Sequence, residues 1–166
     1  MSTKQSIVWL AVYTYSKHEK KVDRRLQKKN INTFLPLTKV VRKWHDRKKK
    51  IDMPLFPNYL FVRIPLMDKF KIFETPGVIK FLGSNSNPSI IKDQEIDLIR
   101  KLILGNIETS NFNYKVGSEV VITSGPMKGI KGKLVRKKGK DRIVIHINTL
   151  EKNLMLDISP YNVVQV

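Results

Sequence analysis

The sequence contains no cysteine, so neither disulfide bonds nor cysteine-ligated metal sites are available to it. Long apolar runs are also missing, because the longest, Ile7–Val12, has only six residues. That length is far short of a membrane span or the core of a signal peptide. We therefore expect a soluble, cytoplasmic protein with no membrane partner.

Acidic residues are sparse as well. The chain has 14 Asp and Glu against 32 Lys and Arg, which gives a formal net charge of +18 over 166 residues. A charge of this size is typical of a protein that binds a polyanion, most simply DNA or RNA. A lysine-rich, solvated surface without such a ligand is the alternative. Most of the Lys and Arg residues lie in the first 104 positions, so we expect most nucleic-acid contact there.

Groups that carry catalysis or bind metals are scattered along the chain. The three histidines, His18, His45 and His146, fall in separate segments without the spacing of metal ligands. No carboxylate pair and no ordered set of Ser, His and Asp stands out. The glycines at 125–132 superficially resemble a phosphate-binding loop, but Leu134 stands where such a loop has Ser or Thr. We predict no enzyme, no cofactor and no metal site.

Residues 1–104 predict an α+β domain with an antiparallel sheet and three helices. Ile7–Thr14 is short, β-branched and aromatic, as a strand is. Ser16 and Glu19 have the spacing of a capping box, which predicts a helix to about Asn30. Further strands are predicted at 33–41, 51–64 and 78–82, a short helix at 68–74, and a last helix from 93. A basic segment at 42–50 forms the tip between the second and third strands.

The predicted strand around residues 53–64 is apolar on both faces. Phe56, Leu60, Val62 and Ile64 would form one face, and Leu55, Tyr59 and Phe61 the other. A one-sided antiparallel sheet would leave the second face to solvent. Two interpretations stay open: helices cover both faces, or the second face is a docking surface.

Residues 116–166 predict a small β-barrel after a polar linker at 105–115. Val120–Thr123, Lys133–Arg136 and Arg142–Ile147 read as strands that are separated by glycine turns. The turn and loop residues of interest are Gly125, Lys128, Gly129, Lys131 and Gly132. The pattern VGSEVVITSGPMKGIKGKLV matches the KOW motif.

A basic α+β domain with FPNYLFV at 56–62 and GVIKFLG at 77–83, followed by a linker and a KOW motif, resembles the NusG family of transcription elongation factors. The resemblance covers nearly the whole chain, and FPNYLFV is similar to the segment of specialised RfaH-like and UpxY-like antiterminators. It implies an NGN-like polymerase-binding domain at 1–104, a linker at 105–115, and an SH3-like, five-stranded KOW barrel at 116–166.

The same resemblance implies a set of partners. The N-terminal domain would dock on the clamp helices of the largest RNA polymerase subunit through Leu55, Tyr59, Phe61 and Phe81. The hairpin would lie near upstream or non-template DNA, with contacts from Arg42, Lys43, Trp44, His45, Arg47, Lys48, Lys49 and Lys50. The KOW domain would recruit a ribosomal small-subunit protein, Rho or nascent RNA.

The sequence therefore predicts a monomeric, non-enzymatic transcription elongation or antitermination factor. The alternative is a KOW-containing ribosomal or RNA-binding protein that acts without RNA polymerase. The aromatic second face at 53–64 distinguishes the two hypotheses, because a protein that binds only RNA does not need it.

Overall fold

A computed structural model of the chain describes residues 6–104, 117–124, 128–137, 140–147, 149–150, 152–157 and 163–166. The chain divides into two compact units, Met1–Asp93 and Gln94–Val166. This division falls before the boundary predicted at 104, so the last predicted helix is grouped with the C-terminal strands. The linker predicted at 105–115 lies outside the described residues.

The N-terminal unit contains seven strands and two helices among its described residues. In chain order they are β1 (Ile7–Thr14), α1 (Glu19–Lys28), β2 (Asn32–Phe34), β3 (Leu37–Lys43), β4 (Lys48–Pro54), β5 (Tyr59–Pro65), α2 (Lys69–Phe73), β6 (Val78–Phe81) and β7 (Ile90–Ile91). A short 3-10 turn, Leu66–Asp68, precedes α2. The main sheet is antiparallel in the order β2-β5-β1-β6, with β7 also paired to β1. Strands β3 and β4 form a separate two-stranded sheet.

The strand predicted at 51–64 is two strands that belong to different sheets. Pro54 and Pro57 have no backbone N–H to donate to a sheet, and Asn58 adopts φ 69°, in the left-handed region. The chain therefore bends between β4 and β5. Because the alternation of side chains is lost across this bend, the face predicted for Phe56 is wrong: its ring packs on Phe61, 6.1 Å away, and not with Leu60.

One face of the main sheet carries the hydrophobic core. Leu10 and Val12 of β1 lie beside Leu60, Val62 and Ile64 of β5 in one buried cluster. Val22 and Leu26 of α1, Ile72 of α2 and Phe81 of β6 complete it. Helices α1 and α2 thus cover the same face, as the spacing of Val22 and Leu26 indicates.

Helix α1 begins later than the capping-box pattern predicts. His18 is its N-cap residue, and no side chain caps the helix. The carboxylate of Glu19 instead accepts a hydrogen bond from the backbone N–H of Asn58, at 2.8 Å. Lys17 has φ 62° and interrupts the helical backbone after Ser16. Glu19 therefore fastens the bend before β5, a contact that local sequence spacing does not reveal.

Gly77 stands at a tight point between α2 and β6, and we expect Gly77→Ala to destabilise the N-terminal unit. Its φ is 103°, and an added Cβ would lie 2.7 Å from Cγ2 of the buried Val22. The strained backbone alone costs more than about 1 kcal/mol, and the overlap adds to it. Urea unfolding measures the change. Gly117→Ala is the control, because Gly117 has φ 99° and no atom of the described residues lies within 4 Å of the added Cβ; an equal loss of stability in both variants would contradict the overlap.

The C-terminal unit is built on a five-stranded antiparallel sheet. Its elements are α3 (Asp93–Leu104, whose first residue belongs to the other unit), β8 (Glu119–Ile122), β9 (Lys131–Lys137), β10 (Lys140–Ile147), β11 (Lys152–Asp157) and β12 (Val163–Gln165). The strand order is β11-β10-β9-β8-β12. The mixed α and β content and the three helices are confirmed. The predicted barrel is not, since among the described residues no pairing between β11 and β12 closes the sheet.

Helix α3 is fastened to the C-terminal strands by one carboxylate. Glu95 accepts hydrogen bonds from both the backbone N–H and the hydroxyl of Thr149, which follows β10. This contact accounts in part for the grouping of α3 with that unit. Within the described parts of the chain, no helix has the length and apolar character that crossing a membrane requires.

Candidate nucleic-acid interface

The basic hairpin that the sequence predicts is formed by β3 and β4, and its outer part is exposed. Every residue from 39 to 50 is exposed to solvent. The backbone N–H of Trp44 donates to the carbonyl of Arg47, at 2.8 Å, and closes the tip. The tip is therefore shorter than predicted, and most of the cations lie on the paired strands rather than in the turn.

The strand register places cations directly opposite each other. Arg42 pairs with Lys49, and Lys43 pairs with Lys48. Like charges at opposed positions destabilise a sheet, by roughly 0.2–1 kcal/mol for each pair. Only toward the root does an acidic partner stand opposite a cation, where Lys39 pairs with Asp52. Asp46 is the one acidic residue from 42 to 50, against six cations, so the hairpin has a concentrated positive charge near its tip.

Trp44 stands beside a shallow groove on this hairpin. Its side chain is 61% exposed, and the groove, of about 510 Å³, is lined by Arg42, Lys43, Trp44, His45 and Ile51. The Arg42 guanidinium on β3 donates to the sulfur of Met53 on β4, at 3.8 Å. An exposed indole next to two cations has the composition of a surface on which an unpaired base stacks.

The root of the hairpin is joined to α1. The Lys20 ammonium donates to the backbone carbonyl of Asp52, at 2.6 Å. The N–H of Leu55 donates to the carbonyl of Pro36, at 2.8 Å, across the base of the two strands. These bonds connect the exposed hairpin to the main body of the N-terminal unit.

The second face of the main sheet is largely closed, contrary to one of the two sequence interpretations. Phe61 is 0% exposed; its ring stacks on Phe34 at 5.9 Å and meets Phe56 edge-on at 6.1 Å. Phe81 is also 0% exposed and packs edge-on against Phe73 at 5.1 Å on the core face. Both rings therefore lie inside the packed unit and not at its surface, and the polymerase-binding role of Phe61 and Phe81 stays a prediction.

Leu55 and Tyr59, the other two predicted docking residues, are partly exposed. Tyr59 lies opposite Tyr13 on β1, and the two rings meet edge-on at 5.1 Å. Burial raises the pKa of Tyr59, and the neighbouring Tyr13 raises it further, so the phenol is neutral at physiological pH. Lys80 lies over the Tyr13 ring, with its ammonium 5.8 Å from the ring centre.

The sequence interpretation missed Tyr13 and Lys80. Strand pairing brings both residues close to Tyr59, since Tyr13 is opposite Tyr59 on one side and opposite Lys80 on the other. Residues 13, 59 and 80 are distant in sequence, and only the register of β1, β5 and β6 brings them together. The alternation of side chains along β1 places Tyr13 on the second face, but it does not indicate which residues lie beside it.

The predicted loop residues of the C-terminal unit are partly described. Lys128 and Lys131 are exposed, and Gly129 has φ 87°, as a tight turn requires. The Gly129 N–H donates to the carbonyl of Ile122, at 2.7 Å, which closes the turn between β8 and β9. Gly132 lies within β9 rather than in a turn. Gly125 lies outside the described residues.

Comparison with known proteins identifies the family to which the chain belongs. The NusG family model, described as "Transcription termination factor nusG", matches residues 7–100. The chain is 31% identical over 132 residues to the transcription termination/antitermination protein NusG of Staphylococcus carnosus, covering 71% of this chain and 72% of that protein. It is 26% identical over 165 residues to the protein of that name from Rickettsia felis, covering 91% and 86%.

A similar fold is found among solved structures. The structure titled "Domain interaction in Thermotoga maritima NusG" aligns with a TM-score of 0.64 and 23% identity, over 97% of this chain and 98% of that one. The family model spans more than half of the chain, and the Staphylococcus protein is similar over most of its length. The protein therefore belongs to the NusG family and is a transcription termination/antitermination factor.

Proposed function

We propose that the protein acts on transcribing RNA polymerase: its N-terminal unit docks on the enzyme, and its hairpin contacts adjacent DNA. The C-terminal unit recruits a further factor or RNA. The exposed hairpin is the observation that carries this proposal. Six of its residues from Arg42 to Lys50 are cations, and none of the twelve side chains from 39 to 50 is buried.

The energetics of the hairpin favour an anionic ligand. An isolated two-stranded hairpin is marginally stable in water, and the opposed pairs Arg42–Lys49 and Lys43–Lys48 lower its stability further. A bound phosphate backbone would remove this repulsion and release counterions at the same time. Trp44 adds a stacking surface worth about 1–3 kcal/mol per unpaired base. We therefore assign the tip to single-stranded DNA of the non-template strand or to the upstream fork.

Polymerase docking is supported by family membership and by the surface around Tyr59. Leu55, Tyr59 and Tyr13 offer a partly exposed apolar area, and Phe61 supports it from inside the unit. Aromatic residues of this kind are enriched at the centres of protein interfaces. We propose that this area docks on the clamp helices of the largest RNA polymerase subunit. The FPNYLFV segment, which forms the bend and most of β5, supports a specialised antiterminator of the RfaH-like kind.

The C-terminal unit is proposed to recruit a second component. Lys128 and Lys131, on either side of the Gly129 turn, are exposed on the loop and strand that it connects. A ribosomal small-subunit protein, Rho and nascent RNA are the candidate components. RNA would be attracted by these cations directly, whereas a protein partner would also use exposed apolar residues, such as Val164 at the edge strand β12.

Transcription through a terminator, with and without the protein, tests the proposal. We expect altered read-through and retention of the protein on immobilised polymerase complexes. Tyr59→Ala should weaken retention at least about fivefold, since an interface hot spot contributes more than about 1 kcal/mol.

Tyr15→Ala is the matched control for this experiment. Tyr15 is 58% exposed and contacts the His18 ring, outside the proposed docking surface. Retention of the control variant should equal that of the wild type. Binding to ribosomal RNA alone, with no retention on polymerase, would refute the proposal and favour an RNA-binding protein that acts without polymerase.

A further inference from the structure

Asn58, at the bend before β5, is held on both sides of its backbone. Its φ is 69°, in the left-handed region that asparagine tolerates better than most residues with a Cβ. Its N–H donates to the carboxylate of Glu19, and its carbonyl accepts from the N–H of Thr14, both at 2.8 Å. Because Glu19 and Thr14 are buried, the backbone of Asn58 is fixed relative to β1.

The side chain of Asn58 directs the hydroxyl of Tyr13. Its amide Nδ2 donates to the Tyr13 hydroxyl, at 3.3 Å. A tyrosine hydroxyl accepts hydrogen bonds and has a single proton to donate. Since the amide occupies an acceptor position, that proton is directed away from Asn58. The hydroxyl donates to no acceptor among the residues that the structure describes, and the Tyr13 side chain is partly exposed.

Lys80 adds a cation beside this hydroxyl. It lies opposite Tyr13 on β6, and its ammonium is 5.8 Å from the centre of the Tyr13 ring. Lys80 is exposed and makes no hydrogen bond or ion pair with the described part of the chain. A directed O–H donor and an uncompensated ammonium therefore lie together on a surface that is otherwise formed by the rings of Tyr13 and Tyr59.

We propose that Asn58 orients the Tyr13 hydroxyl as a donor, and that this hydroxyl and the Lys80 ammonium together bind a carboxylate of the docking partner. Because it lies within the proposed docking surface, this site rests on the proposed function and adds the chemistry of the partner. An ionised carboxylate only accepts hydrogen bonds, so it suits a neutral O–H and an ammonium at once. A purely apolar partner would desolvate both groups without replacing their hydrogen bonds to water, which costs free energy.

Tyr13→Phe tests the donor, because it removes the hydroxyl and keeps the ring. We expect the affinity of the full-length protein for purified RNA polymerase to fall about tenfold or more, as for the loss of a hydrogen bond to a charged group. Tyr15→Phe removes the hydroxyl of an exposed tyrosine outside the docking surface and should bind as the wild type does. Unchanged binding by Tyr13→Phe would overturn the proposal, because apolar docking needs only the ring.

Lys80→Met tests the charge of the partner group. It removes the ammonium and keeps a long side chain, so affinity should fall about two- to fivefold. Added salt should then weaken the variant less than the wild type. Lys101→Met, which removes an exposed cation of α3, is the control of equal charge. Equal binding by the two variants would mean that the acceptor is uncharged, and the carboxylate would be ruled out.

Asn58→Gly separates the orientation of the hydroxyl from folding. Glycine adopts a positive φ without strain, so the backbone bonds to Glu19 and Thr14 are kept and only the amide is lost. We expect weaker binding than wild type, but no further loss when the substitution is added to Tyr13→Phe, because the amide acts through the hydroxyl. An equal loss in both backgrounds would overturn the role of Asn58.

Tyr59→Ala, titrated in parallel, distinguishes failure of the carboxylate site from failure of the proposed docking. Weakened binding by Tyr59→Ala together with normal binding by Tyr13→Phe refutes only the carboxylate site. Full binding by Tyr59→Ala refutes docking at this surface, and the carboxylate site with it.

Discussion

Phe61→Ala is expected to lower the free energy of unfolding of the N-terminal unit by about 3–5 kcal/mol, the usual cost of removing a buried phenylalanine ring. The ring is 0% exposed and lies against Phe34 and Phe56, so its removal leaves a cavity beside two further rings. Urea unfolding followed by the fluorescence of Trp9, which meets Phe34 edge-on at 6.4 Å, measures the destabilisation.

Tyr59→Ala is the matched control on the same strand. Tyr59 lies two residues earlier and keeps part of its surface in solvent, so its removal leaves a smaller cavity and costs less. A Phe61→Ala variant as stable as the wild type would mean that the ring is available to a partner after all. If Phe61→Ala destabilises the unit as expected, a loss of polymerase binding in Phe61 variants reflects unfolding. Only Tyr59 variants then test the docking surface itself.

The sequence correctly indicates that β5 is apolar on both faces, but it does not show what covers the second one. The rings that enclose Phe61 come from β2 and from the bend before β5. Neither contact follows from local spacing, since Pro54, Pro57 and Asn58 break the alternation of side chains at this point. The burial of Phe81 could not be predicted from the sequence either, because only its pairing with Val12 places it on the core face.

The hairpin was easier to anticipate than the docking face. A basic segment between two β-branched runs predicts an exposed tip from composition alone, and residues 39 to 50 are all exposed. The pairing of Arg42 with Lys49 could not be predicted, because it depends on where the turn closes. Three strands of the C-terminal unit, β8, β9 and β10, likewise follow from the glycine turns, whereas the connections before β11 and β12 contain no glycine. Closure of a barrel depends on contacts between distant strands.

Neutralising the tip of the hairpin is expected to have the largest effect on nucleic-acid binding. Arg47→Gln/Lys48→Gln/Lys49→Gln/Lys50→Gln removes four exposed cations. If each contacts one phosphate, the slope of log affinity against log salt becomes shallower by about 3.6 on duplex DNA and about 2.8 on single strands. Titration of fluorescent oligonucleotides between about 50 and 200 mM salt, a range over which the affinity of such proteins changes strongly, gives both values. A slope equal to that of the wild type would refute the contact.

The same substitutions should stabilise the free hairpin, and this opposite effect identifies the role of the charges. Lys48→Gln and Lys49→Gln relieve the repulsion across the pairs with Lys43 and Arg42, so amide hydrogen exchange in β3 and β4 should slow in the absence of DNA. Lys39→Gln is the control, because Lys39 faces Asp52 and its removal relieves nothing. If the four charges were structural, affinity and protection would fall together. A ligand-binding role requires affinity to fall while protection rises, because the repulsion that weakens the free hairpin is then the same charge that phosphate neutralises.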